Sequence, residues 1–247
     1  EGAISAFMGC HIPEGGALCV DSVCPRAYTQ EDQLLLHRFA RHLARQVHSA
    51  GLACDAEDLR RYFTRLEQLS ELSAQNPHWR DYLGAFLRLM AESTEFEYVA
   101  FATAQEGGST YTVEGENTPL LITEEGMPEL PLTRGGLLRW VFRNEVPVQV
   151  EGAGGSPSTP LFGKLPGVPN FQSVMCLPVH LNKVTCGVLC FAGLNPRSLS
   201  QNLRTFTKIA VTYLAQYLEM LYLRHRLKSL LPRAKVHRDG AMAYDPD

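Results

Sequence analysis

Seven cysteines are the first residues in this chain that could do chemistry: Cys10, Cys19 and Cys24 around His11, then Cys54, then Cys176, Cys186 and Cys190. Closely spaced thiolates can hold zinc or an iron–sulfur cluster, and a thiolate beside a base can act as a nucleophile. The spacings favour neither. No Cys-x2-Cys pair occurs, and Cys24, next to Pro25, has only distant histidines. Cys10, Cys19, Cys176, Cys186 and Cys190 fall in or beside apolar stretches, where a thiol behaves as a small buried hydrophobe. A phosphate cradle is suggested by Phe162-Gly163-Lys164-Leu165, but a P-loop requires Gly at 158 and Ser or Thr at 165, and the chain has Ser158 and Leu165. No Gly-x-Ser-x-Gly occurs. Arg224, Arg226, Lys228, Arg233, Lys235 and Arg238 form a basic run without an acid, which reads as the solvated face of an exit helix. Sequence thus predicts no catalytic residue, no metal ligand and no nucleic-acid partner, and names no cofactor.

A binding site is the better candidate. Phe101, Tyr111, Trp140, Phe171 and Met175 would converge on an apolar pocket, with Arg134, Ser173 and Thr185 as polar contacts. Small-molecule pockets combine apolar walls with a few placed polar groups. The alternative is that the same aromatics only fill a core.

Composition narrows the setting. The chain has 247 residues, 45 % apolar and 20 % charged, with a net charge of −3. That is globular composition with no global basic field. No apolar run approaches the ~20 residues of a membrane span, Glu1 to Cys10 lack a secretory signal, and the odd cysteine count suits a reduced, cytoplasmic chain.

The elements that must position these residues occur twice. Gly16-Ala17-Leu18-Cys19-Val20 precedes Pro25-Arg26 as Gly187-Val188-Leu189-Cys190-Phe191 precedes Pro196-Arg197, at an offset of 171 residues. Helix-period runs follow both (Leu35, Phe39, Leu43; Phe206, Ala210, Tyr213). Upstream, Ala6 to Ile12 aligns with Ser173 to Val179, with four fewer residues in the turn. A period this long means two related domains, the first represented by its end. Its hairpin needs a cover, from the helix near Trp79–Ser93, from a partner chain, or from residues that precede Glu1.

Between the copies, Trp79 to Ser93 has a helical period. Glu97 to Gln105 and Ser109 to Glu114 read as a hairpin turning at Gly107-Gly108. Leu132 to Asn144 reads as a short helix capped by Thr133, with Leu137, Trp140 and Val141 on one face. Pro147 to Val150 is a short strand, and Gly152 to Asn170 an irregular covering loop. Phe171 to Leu181 and Val184 to Gly193 are strands joined at Asn182-Lys183. A helix runs from Ser200 to about Leu231, where Pro232 stops it. This order gives an α+β fold, an antiparallel sheet with flanking helices.

The segment Gly135-Gly136-Leu137-Leu138-Arg139-Trp140-Val141-Phe142-Arg143-Asn144-Glu145-Val146-Pro147-Val148, together with Gln172 to Val179, Gly187 to Phe191 and Pro196-Arg197, resembles the GAF domain family. In the first copy Gly16 to Asp32 and Leu34 to Ala44 resemble the end of such a domain. The resemblance implies a GAF/PAS-like sheet and four regions: 1–48 the remnant of a first GAF-like domain, 49–76 a connecting helix, 77–222 a complete domain, and 223–247 an exit helix and linker to an output domain. Neither the Asp-Ile-Pro signature of bilin-binding members nor the full cyclic-nucleotide signature occurs; Asn182-Lys183 stands alone in a turn. The implied function is a sensory module coupling a small-molecule or redox input to a signalling output. Two alternatives are a ligand-free dimerisation scaffold and a small cysteine-dependent redox enzyme. A homodimer is expected through helices 59–69 and 206–230: Leu59, Tyr62, Phe63, Leu66 and Leu69 form one stripe, and Val211, Leu214, Leu218 and Leu221 a second, coiled-coil seam.

Overall fold

A computed structural model describes residues 4–12, 16–25, 28–104, 110–121, 129–131, 136–152, 160–163, 165 and 167–230. The turn at Gly107-Gly108, Thr133, Arg134, residues 153–159, 164 and 166 of the covering loop, and the tail beyond residue 230 lie outside the described residues. The chain divides into two compact units, Glu1–Thr64 and Arg65–Asp247.

In the first unit, β1 (Ala6–Ile12) and β2 (Gly16–Ser22) form an antiparallel hairpin, and helix α1 (Gln30–Gln75) follows. Thr29 starts α1: its hydroxyl accepts from the Asp32 N–H (3.2 Å), and the Asp32 carboxylate accepts from the Thr29 N–H (2.9 Å). This reciprocal pair satisfies donors that the first helical turn would leave open. Cys10 and Ile12 pack on Leu36 and Ala40 of α1, flanked by Met8, Leu18 and Ala44. The hairpin's cover is thus α1 itself, and it covers one face. Phe7 and Val20 stay exposed. The expected 1–48 and 49–76 segments share one unbroken helix that runs on into the second unit.

The second unit holds the rest of α1, α2 (Trp79–Thr94), β3 (Tyr98–Ala104), β4 (Thr110–Glu116), β5 (Glu129–Pro131), α3 (Leu137–Asn144), β6 (Val148–Val150), β7 (Ser173–Leu181), β8 (Val184–Gly193) and α4 (Gln201–Leu230). Six strands pair antiparallel in the order β5-β4-β3-β8-β7-β6. β7 and β8 join through Asn182 (φ 52°) and Lys183 (φ 67°), successive left-handed residues whose twist suits a two-residue hairpin.

Two helices cover one face of this sheet. α2 buries Tyr82, Leu83, Phe86, Leu87 and Met90 at three- and four-residue steps, and α4 lies on β7. Tyr82 stacks on Tyr217, whose hydroxyl donates to the Asn76 carbonyl at 2.8 Å. On α4 the buried stripe is Leu203, Phe206, Thr207, Ala210, Leu214 and Tyr217. Leu214 therefore serves the domain's own core. The expected seam is not a free stripe at that residue, and Val211, Leu218 and Leu221 are half-buried.

The repeat persists in three dimensions. All seven β1–β2 pairs, from Ala6↔Ser22 to Ile12↔Gly16, match the β7–β8 pairs from Ser173↔Gly193 to Val179↔Gly187. α1 begins at Gln30 and α4 at Gln201, again 171 residues apart.

Close packing at β8 yields a test. A Cβ on Gly187 would overlap the Phe101 ring and sit 2.8 Å from the Ala102 carbonyl, whereas one on helical Gly84 meets nothing within 4 Å. In urea unfolding, Gly187→Ala should cost about 1–3 kcal/mol, and Gly84→Ala should add about 0.5–1 kcal/mol by restricting the unfolded chain.

Candidate functional site

The other face of the sheet is covered by shorter elements. Along β3, Tyr98, Ala100 and Ala102 point to this face, joined by Tyr111 and Val113 of β4, Val174 and Cys176 of β7, and Val188, Cys190 and Ala192 of β8. The alanines leave space that rings fill from above. Phe171 stacks on Tyr98 with centroids 5.6 Å apart, and Phe162 meets Tyr98 edge-on at 5.9 Å. Leu138 and Val141 of α3 complete the cover with Leu161.

The first turn of α3 is tied to the covering segment by its own free N–H groups. Leu137 donates to the Pro160 carbonyl and Leu138 to the Leu161 carbonyl, both at 3.1 Å. Gly136 makes this approach feasible: its φ is 96°, and a Cβ there would lie 2.5 Å from the Gly163 nitrogen. Beyond α3, Glu145 (φ 56°) ends the helix and β6 pairs with residues 174–176 of β7.

Few polar groups lie inside. The Tyr98 hydroxyl donates to Glu116 at 2.8 Å, and the same carboxylate accepts from the Leu120 and Leu121 N–H groups. Burial, then the Glu116 charge, hold the Tyr98 hydroxyl protonated far above its ordinary range. Cys176 and Cys190 face each other across β7 and β8, sulfur to sulfur 3.7 Å apart. Burial, then Cys176, push the Cys190 thiol well up, so at neutral pH it is not a thiolate nucleophile. Cys186 is also pushed up by burial. Among the described residues, no three His, Cys, Asp or Glu side chains are grouped to hold a metal ion.

The structure separates the residues that sequence expected to converge. Tyr111 and Phe171 belong to the α3 side. Phe101 points the other way, edge-on to Trp79 at 5.9 Å, and Met175 lies on the α4 side, its sulfur 3.8 Å from the Thr207 hydroxyl. Ser173 is structural: its hydroxyl donates to the Asn195 carbonyl and accepts from the Arg197 N–H. Thr185 sits near the β7–β8 turn, 3.2 Å from His180 Nδ1. Trp140 is 46 % exposed, since α3 turns Leu138 and Val141 fully inward, with Leu137 and Phe142 partly buried beside them. Arg134 lies outside the described residues. Sequence reasoning missed Tyr98, Glu116, Leu138, Leu161, Phe162, Cys176 and Cys190. The large–small alternation Tyr98-x-Ala100-x-Ala102 was the available signal for this face.

No family model and no curated protein matches the chain. Solved structures do. The GAF domain of an Acinetobacter phosphoenolpyruvate-protein phosphotransferase is 16 % identical, with a TM-score of 0.53 over 67 % of this chain and 97 % of that one. Free methionine-R-sulfoxide reductase from Neisseria meningitidis, in complex with its substrate, is 16 % identical, with a TM-score of 0.52 over 64 % and 88 %. Residues 122 to 287 of a methyl-accepting chemotaxis protein are 13 % identical, with a TM-score of 0.52 over 65 % and 99 %. Among the described residues no helix is long and apolar enough to cross a membrane.

Two measurements check the site's geometry. Trp140→Ala should change stability by less than about 0.5 kcal/mol, while Leu138→Ala, on the buried face of the same helix, should cost about 2–5 kcal/mol. The second is alkaline unfolding. Burial pushes up Tyr82, Tyr98 and Tyr111, while an unfolded tyrosine titrates near 10. Below that pH both states hold these protons and stability is insensitive to them. Above it the unfolded state releases protons first, so stability should fall with each rise in pH. Tyrosinate absorbance should appear together with unfolding for these three rings. The sheet order, the α2–α4 face and the α3 cover, with the solved structures they resemble, give this chain a GAF-like α+β fold.

Proposed function

We propose that the GAF-like domain is a sensory or regulatory module that takes a small molecule between the sheet and the α3 cover and passes the change to a signalling output through its long helices. The observation that carries this reading is the asymmetry of the two faces. α2 and α4 seal one face with long aromatic-lined helices. The other is closed by an eight-residue helix and the Leu161–Phe162 segment, beside a three-residue strand at the sheet edge. A cover of small elements opens more easily than a cover of long ones. Behind it lie tyrosine and phenylalanine rings around an alanine floor and one carboxylate, a lining suited to a compact, mostly apolar molecule. The names of the similar structures, one from chemotaxis and one from a phosphotransferase, are consistent with signalling.

One observation favours a second reading, a scaffold without ligand. Tyr98, Tyr111, Phe162 and Phe171 already fill much of the covered face. A thiol-based redox enzyme is less well supported, because burial holds Cys186 and Cys190 protonated.

A homodimer is part of the proposal. Tyr222, Leu223 and Leu227 near the end of α4, and Leu59 and Phe63 on α1, are exposed apolar residues at helical spacing. Charged substitutions belong there and not at Leu214, where they would unfold the domain.

Native mass spectrometry of freshly purified protein tests the reading. A small-molecule adduct should appear that leaves on denaturation, and Ala102→Leu, which fills the floor beneath the rings, should lose it. Apoprotein alone, from cells and after incubation with metabolite extract, would favour the scaffold. Sedimentation should give a dimer at about tens of micromolar that Leu223→Glu with Leu227→Glu converts to monomer; a wild-type monomer would remove the dimer from the proposal.

A further inference from the structure

Two thiols face each other in the middle of the six-stranded sheet, and the ligand reading uses neither. Cys176 of β7 and Cys190 of β8 are directly opposed in the register, both fully buried, with their sulfurs 3.7 Å apart. Directly opposed residues of an antiparallel pair have Cβ atoms about 4.5–5.5 Å apart. A disulfide takes Cβ atoms about 3.5–4.5 Å apart. The two ranges meet, so an S–S bond can close here with a small approach of the strands. A bond formed against the spacing of the sheet is one that thiol reductants readily reopen.

The place of the pair gives such a bond a consequence. Cys176 pairs on its other side with Val148 of β6, and Cys190 with Ala100 of β3. One row therefore runs Val148, Cys176, Cys190, Ala100 across four strands. α3 packs on both β7 and β8, and both sulfurs belong to the buried cluster that Leu138 and Val141 cover. Closing the bond brings the sulfurs to about 2.05 Å, and the α3 side chains above them lose contact across the space released. The first unit offers an internal comparison. At the same step of its hairpin the pair is Gly9↔Cys19. One thiol suffices there, so the packing of such a hairpin does not itself call for two.

We propose that Cys176 and Cys190 form a reversible disulfide with hydrogen peroxide as the oxidant, and that this bond loosens the α3 cover. The Cys176 sulfur attacks one peroxide oxygen. The O–O bond breaks, the thiol proton leaves with the other oxygen as water, and Cys176 becomes a sulfenic acid. The Cys190 sulfur then displaces the hydroxyl, which takes the Cys190 proton and departs as a second water. Two thiols are oxidised, one peroxide is reduced, and one S–S bond replaces two S–H bonds. Burial keeps Cys190 protonated and the pair slow to react at rest, so the rate follows the local openings that admit peroxide. A dithiol such as dithiothreitol reverses the step by exchange and is itself oxidised. The inference shares the α3 cover with the ligand reading and needs no bound ligand.

The test treats the full chain with hydrogen peroxide, blocks the remaining thiols with N-ethylmaleimide and digests with trypsin in the absence of reductant. Trypsin cuts after Lys183, between the two cysteines, so the bond should appear as peptides 165–183 and 184–197 joined. Dithiothreitol should part them. The second peptide also holds Cys186. Cys186→Ser should therefore keep the cross-link, and Cys190→Ala should lose it; the wild-type cross-link is itself a readout that needs no variant. In the oxidised chain, amide exchange across α3 should be severalfold faster than in the reduced chain, and should return after dithiothreitol. Joined peptides without any ligand adduct would sustain this inference and not the ligand reading; an adduct without joined peptides would do the reverse. Three results would overturn the proposal: no joined peptides from the folded chain, joined peptides that form only in urea, or α3 exchange that is equal in the oxidised and reduced chains.

Discussion

The pairing of β7 with β8 is the interaction on which the second unit depends. From Ser173 to Val179 every residue of β7 is buried, and so is β8 from Gly187 to Gly193. A hairpin with no exposed face must be covered on both sides, because two strands alone are marginal in water. The rest of the unit answers that requirement. β3 and β6 close the edges, α2 and α4 cover one face, and α3 with the Leu161–Phe162 segment covers the other. Gly187 shows how tight the fit is at the centre, where β3 brings Phe101 over a position that admits no side chain.

The first unit displays the same hairpin and helix with fewer neighbours. Leu35, Phe39 and Leu43 of α1 are exposed, while the residues 171 further on, Phe206, Ala210 and Leu214, are buried. A Cβ placed on Gly16 would meet nothing within 4 Å, whereas its counterpart Gly187 is crowded. The difference lies in what surrounds the hairpin, since the strand register is identical. Apolar surface of this kind is where a folded chain meets something else.

Much of this arrangement was legible in the sequence. The 171-residue offset located both hairpins and both helix starts, because it rests on turn and strand residues that repeat. Asn182-Lys183 identified its turn because few residues tolerate successive positive φ values. The short covering helix was also legible, but not its orientation: with eight residues it makes barely two turns, too few for periodicity to decide between Trp140 and Leu138. The expected site residues fall on two faces of the sheet for a related reason. β3 is buried on both faces from Tyr98 to Ala102, so alternation of apolar and polar residues, the usual indicator of side, is missing. Phe101 and Tyr111 look alike in sequence and lie on opposite faces of the sheet. Glu116 was invisible because its role depends on Tyr98, eighteen residues away, and on two backbone N–H groups beyond β4.

The central claim is that the two faces differ: the helix side is fixed and the α3 side is the part that opens. Native-state hydrogen exchange across the second unit tests it most directly. Amides of β3, β7 and β8 should be the slowest and exchange together with α2, while α3 and β6 exchange faster through a separate local opening. If α3 and β6 proved as slow as β8, the domain would open only as a whole and the α3 cover could not serve as the moving part.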